Sequence, residues 1–167
     1  FILILDDAPG QALTVHMARP QLALTLDQKW RVAKDLLAAL AHAHHHGVVH
    51  RNLTPGAILI GQDGTTRITD FDFAKPGVDR SLTIATDIVD LVEKAYVAPE
   101  AFREPGAASS ASDIFSAGVI LYELFTGERP FAGEPTTVWD RGGEFLNKPS
   151  ALRPELNEAF DAWLQSL

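Results

Sequence analysis

The 167-residue sequence contains no cysteine and a single methionine. Lack of cysteine excludes disulfide staples and thiolate metal centres, and it fits a reducing compartment. Long apolar runs are missing too: the longest, such as Phe1–Leu5 and Ala117–Tyr122, fall far short of the ~20 residues of a membrane helix. No basic start precedes an apolar core, as it would in a secretory signal. Basic side chains are few, 14 against 22 acidic, for a net charge of −8. That balance opposes attraction to nucleic acid or anionic lipid, so neither is expected as a partner. Repeats, low-complexity tracts and charge blocks are also absent. What remains, 46% hydrophobic and 22% charged residues, is the composition of an ordinary globular chain. Its length is that of about one domain at ~150 residues each. The expectation is a soluble, acidic, cytoplasmic domain. Because Phe1 opens an apolar run with no polar cap before it, the chain is expected to be a piece of something longer.

Turn chemistry and periodicity divide the chain. Phe1–Leu5 reads as a buried strand, and Asp6-Asp7-Ala8-Pro9-Gly10 as a turn. Thr25 and Gln28 have capping-box spacing. Leu26, Trp30, Ala33, Leu37, Leu40 and His44 follow at steps of four and three, which predicts a helix over 25–46 with these residues inward. Gly47 is placed as its left-handed stop. Ala57–Ile60 and Thr66–Asp70 flank Gly61-Gln62-Asp63-Gly64, predicting a two-stranded hairpin. Residues 71–111 show little periodicity, as functional loops do. Residues 61–100 hold eight acidic and four basic side chains, half of the net charge. Ser112 is the expected N-cap of a second helix, running to about Phe125 and closed by Gly127. Apolar residues surround that helix on nearly all sides, so it belongs inside a core. A last helix is expected around Asn157–Leu167.

The chemistry-bearing stretch is His50-Arg51-Asn52-Leu53-Thr54-Pro55-Gly56-Ala57-Ile58-Leu59, followed by Asp70-Phe71-Asp72 and Ala98-Pro99-Glu100. In order and spacing it resembles the H-R-D-L-K-P-x-N, D-F-G and A-P-E signatures of the eukaryotic-type Ser/Thr protein kinases, including bacterial ones. Ser112-Asp113 through Gly118 resembles the start of that family's buried central helix, and Gly127-Glu128-Arg129-Pro130-Phe131 the turn after it. The resemblance implies an α+β fold, a mostly α-helical protein-kinase C-lobe with a small β-hairpin and the N-lobe absent. Residues 1–13 would be the hinge and its preceding strand, 25–46 the long helix and 50–59 the catalytic loop. The activation segment would be 70–100, and the buried central helix 113–125.

The same resemblance shows where the sequence departs. Phosphoryl transfer needs positioned phosphates, metal to neutralise oxygen charge and an oriented nucleophile. The family's proton-accepting loop Asp is Asn52 here, its loop Lys is Thr54 and its metal-binding loop Asn is Ala57. Asp70 stands as the one remaining metal ligand, unless Asp72, which replaces the D-F-G glycine, substitutes for the lost Asn. An amide accepts no proton usefully at pH 7, and a general base is typically worth ~10²–10⁴ in rate. The lobe therefore resembles a pseudokinase: a protein-binding or regulatory module. Its cofactors would be ATP with Mg²⁺ bound weakly, none being expected for the fragment alone. Its partners would be a protein, the missing N-lobe or flanking domains. The alternative is a working Ser/Thr kinase with an unusual loop.

Leu5, the backbone of Asp6 and Ala8, and Leu59 would line the adenine, although plain core packing also explains the apolar pair. His50 would pack beneath Phe71 as a structural residue. Arg51 would gather a phosphate on Ser81, Thr83 or Thr86, or else pair with Asp87, Asp90 or Glu93. Glu100, whose family partner lies beyond Leu167, would need Arg129, Arg153 or water. Five of the six histidines fall between 42 and 50. His42 and His46 have the spacing of a two-His metal pair, without a nearby carboxylate.

Overall fold

The computed structural model describes residues 9–71, 94–131 and 144–167. The expected strand Phe1–Leu5, and Asp6, Ala8, Asp72 and the acceptors and acids between Ser81 and Glu93, lie outside the described residues. Among the described residues the protein is mostly helical with one small antiparallel sheet.

Among the described residues the sheet has three strands where the sequence predicts a two-stranded hairpin. Strand β1 (Gln11–Ala12) pairs antiparallel with β2 (Ile58–Ile60), which pairs antiparallel with β3 (Thr66–Ile68), giving the order β1-β2-β3. Two residues are too few to show an alternating pattern, which is why β1 escapes a periodicity reading. Gly10 follows from it: a Cβ there would stand 2.9 Å from the carbonyl oxygen of Ile60, so the close approach of the two strands requires glycine. In the β2–β3 connection Gly64 takes φ 77°. The Asp63 carboxylate accepts from the Thr65 amide and hydroxyl, bonds that hold its pKa below the ordinary carboxylate value.

Helix α1 (Leu13–Ala18) leads through a 3₁₀ turn at Pro20–Leu22 into α2 (Leu26–His45). The α2 start is a reciprocal capping box: Thr25 Oγ1 accepts from the Gln28 amide and Gln28 Oε1 from the Thr25 amide. Gly47, at φ 72°, ends it. Its buried residues are Val32, Ala33, Leu36 and Leu40. Leu26 and Trp30, expected inward, are instead 41% and 42% exposed. Trp30 meets Phe125 and Phe160 edge-on at 5.0 and 5.4 Å. Its indole thus packs through part of its surface while the remainder faces solvent.

Helix α3 (Pro99–Arg103) precedes α4 (Ser110–Thr126). Its N-cap is Ser109, not Ser112. Ser112 sits three residues on, where its Oγ accepts from the Ser109 amide at 3.0 Å. Ser112 Oγ also donates to Glu100, a tertiary bond that holds this serine inside the first turn. Gly127, at φ 81°, closes the helix. Along α4, Ala117, Ile120, Leu121 and Tyr122 are fully buried. Burying Ile120 or Leu121 contributes about 1.5–3 kcal/mol each on removal from water. Short α5 (Pro149–Leu152) and α6 (Glu158–Gln165), N-capped by Asn157, complete the core with Phe160 and Leu164. Helix α2 packs against both α4 and β3. The chain leaving α2 therefore runs between the α4 N-terminus and the sheet.

Candidate functional site around the His50–Leu59 loop

The loop hangs from one carboxylate. Asp113, in the first turn of α4, is 1% exposed. Its Oδ2 accepts from the His50 amide and from His44 Nε2, and its Oδ1 from the Arg51 amide, each at 2.8 Å. A buried anion is tolerable only with such a full set of donors. His44, which the sequence reading treats as one more position on the inward face of α2, is thus a tie between that helix and the loop. No local pattern announces it, because its partner lies 69 residues away.

His50 is fully buried. Its Nε2 lies 2.8 Å from the Thr69 carbonyl oxygen, which can only accept, so the proton is on Nε2. Its Nδ1 then accepts from the Asn52 amide at 3.3 Å. Both ring nitrogens are engaged by backbone, and the ring lies 4.7 Å from Phe71. The imidazole is occupied in holding the loop to the strand end, which leaves no nitrogen for proton transfer. A second stitch runs from the Thr69 amide to the Ala57 carbonyl at 2.8 Å.

Among the described residues, two non-glycine residues take left-handed backbone: Arg51 at φ 68° and Asp70 at φ 61°. Asp tolerates that region better than Arg. At Arg51 the conformation costs on the order of 1–3 kcal/mol and persists because its surroundings over-determine it; the bond from its amide to Asp113 is part of that constraint. Among the described residues the buried Arg51 Nε has no hydrogen-bond partner. It borders a water-sized cavity of about 10 Å³ shared with Asn52, Leu53, Tyr96 and Ser112. The acids considered for its charge lie outside the described residues.

Asn52 and Thr54 are half-buried, and Ala57 is 3% exposed, its methyl in the core. Leu59 is half-buried on β2, opposite Ala12 and Arg67. Asp70 is exposed. For a nucleotide–Mg²⁺ pair the described residues thus offer one carboxylate and one apolar platform. Mg²⁺ demands six oxygens in octahedral array, so the fit is partial and no transfer step follows from it. No group of three or more His, Cys, Asp or Glu among the described residues is placed to hold a metal. No helix among them is long and apolar enough to cross a membrane.

Glu100 finds a partner that sequence reasoning missed. Ser112 Oγ donates to its Oε1 at 2.6 Å, where Arg129, Arg153 or water was expected. Arg129 lies elsewhere, 5.6 Å over the Tyr96 ring and 4.0 Å from Glu123 Oε2. Tyr96 OH donates to the same Oε2 at 2.6 Å. Burial, reinforced by Glu123, pushes the Tyr96 phenol well above its ordinary pKa.

A buried carboxylate suspending an H-R-x-L loop against a strand end is the geometry behind the motif order read from the sequence. The Protein kinase domain profile matches residues 1–158. The chain belongs to the protein kinase family. It is 38% identical over 132 residues to "Probable serine/threonine-protein kinase PknB" of Lactococcus lactis, covering 79% of this chain and 20% of that protein. It is 41% identical over 103 residues to the serine/threonine-protein kinase PknL of Mycobacterium tuberculosis, covering 62% and 25%. "Probable serine/threonine-protein kinase PknB" of Bifidobacterium longum is 31% identical over 163 residues, covering 96% of this chain and 23% of that protein. The chain spans about a fifth to a quarter of the length of these curated relatives.

Proposed function

We propose that residues 1–167 are the C-terminal lobe of a kinase-like domain that has become a pseudokinase, acting as a protein-binding or regulatory module in the cytoplasm. Nucleotide binding is at most weak, and the partner is a protein rather than nucleic acid or membrane, in keeping with the net charge of −8. One observation carries the reading. The loop's supports, Asp113, His44 and His50, are complete, while the positions that would act on substrate hold an amide (Asn52), a hydroxyl (Thr54) and a buried methyl (Ala57). An amide supplies neither the base nor the anion that orients an attacking alcohol.

A second reading, an active Ser/Thr kinase with a non-standard loop, is favoured by the same intact supports and by the exposed carboxylate of Asp70. Joining the chain to a Gly-rich N-terminal lobe separates the two. ATP with Mg²⁺ should shift its melting temperature little, and labelled γ-phosphate should not move to a protein acceptor. Transfer that Asp70→Ala abolishes would establish the second reading.

A further inference from the structure

The last turn of α2 and its cap carry His42, His44, His45 and His46. His44 is committed to Asp113; the other three are exposed. His46, the C-cap, turns back so that its Nδ1 lies 2.8 Å from the His42 carbonyl oxygen. A carbonyl only accepts, so Nδ1 carries the proton and Nε2 keeps its lone pair. Imidazoles that ligate metals are commonly oriented in this way, by the second nitrogen donating to a backbone carbonyl. The His42 ring stands beside it, centroids 4.4 Å apart and planes at 44°. His45 is turned nearly perpendicular to His46, at 5.3 Å and 84°.

We propose that His42 and His46 form a two-imidazole site for a divalent transition ion of the Cu²⁺, Ni²⁺, Zn²⁺ class, with water completing the coordination. Two neutral imidazoles suit these ions, in the order Cu²⁺ above Ni²⁺ and Zn²⁺, and not Mg²⁺, which requires oxygen. With only two protein ligands the site is open and of modest affinity. Ligation would clip the α2 C-terminus between its last full turn and its cap. That clip lies next to His44, through which α2 holds Asp113 and the loop. It is independent of any nucleotide-bound Mg²⁺.

The test is calorimetric titration of tag-free chain with Ni²⁺, alongside Cu²⁺ broadening of histidine ring resonances. A single ion per chain is expected, with His42 and His46 broadened first and no heat from Mg²⁺. His42→Ala and His46→Ala should each weaken Ni²⁺ binding by about tenfold or more, whereas His45→Ala should stay within about twofold. All three side chains are exposed, so the variants should keep the parent fold; His42→Gln and His46→Gln provide size-matched checks by circular dichroism. Binding that survives His42→Ala, His45→Ala as damaging as His46→Ala, or uniform broadening of every histidine overturns the site.

Discussion

The supports of the 50–59 loop and its tips differ in a way that separates folding from chemistry. On the support side, a single buried carboxylate takes three hydrogen bonds of 2.8 Å, from two backbone amides and a side chain on another helix. On the tip side, Asn52 and Thr54 are half-buried and Asp70 is exposed. Changing a support leaves buried donors orphaned, so substitution there is opposed by stability itself. Substitution at a tip leaves the donors to Asp113 in place, so it is opposed less by stability. A loop of this build can therefore keep its shape whatever its tips carry.

The sharpest way to break this comparison is at Asp113. Asp113→Ala orphans three donors and should lower unfolding free energy by about 3–5 kcal/mol, out of a typical total of about 5–15 kcal/mol. His44→Ala removes one bond to the charged group and should lower it by about 1.5–3 kcal/mol. Because the two side chains share that bond, a double-mutant cycle by denaturant titration should show less than additive loss. Full additivity would mean that α2 and the loop are not coupled through Asp113.

How much of this was legible in the sequence depends on the range of the interaction. The Thr25–Gln28 capping box and the glycine stops at 47 and 127 act within one turn, and residue type alone announces them. The α4 N-cap lies three residues before the expected Ser112 because Ser109 and Ser112 are alike locally; the bond from Ser112 to Glu100 separates them. The two-residue strand β1 exists only by pairing with β2. Trp30 fits an inward spacing, but its indole ends up half in contact and half in solvent. In the site, motif order brought His50, Phe71 and Asp113 to attention. The His44 tie and the Tyr96–Glu123 bond join residues 69 and 27 positions apart, with no periodic pattern to flag them.

A smaller effect is expected at Tyr122, a support of the core rather than of the loop. Burial, then the Glu128 and Asp161 carboxylates, pushes its phenol from 10.0 up to about 12. The folded state therefore holds a proton that the unfolded chain releases above about pH 10. Its contribution is complete below pH 10 and is lost as pH rises toward 12. Tyr96 acts in the same direction. Tyr122→Phe gives up the bond to the Asn147 carbonyl at about 1 kcal/mol. It should also flatten the decline of stability between pH 10 and 12, measured by urea unfolding at each pH.

The smallest structural effect should come from Asn52→Asp, which returns an anion to the tip. Its backbone bond to His50 Nδ1 does not depend on the side chain, and Asp keeps the shape and one acceptor oxygen of Asn, so stability should change by less than about 1 kcal/mol. A restored base could supply ~10²–10⁴ in rate, but only where a positioned phosphate and metal already exist. Thr54 gives no cation, and the Ala57 methyl is packed in the core. Replacing it with Asn would insert an amide into that packing, at about 1–3 kcal/mol if left unpaired. Asn52→Asp, joined to a Gly-rich lobe, should therefore remain silent in a phosphate-transfer assay while folding normally. If that single change produced turnover, one tip would outweigh the other two. The loop would then be one substitution from an enzyme, rather than the proposed scaffold, in which the position of Ala57 is closed into the core.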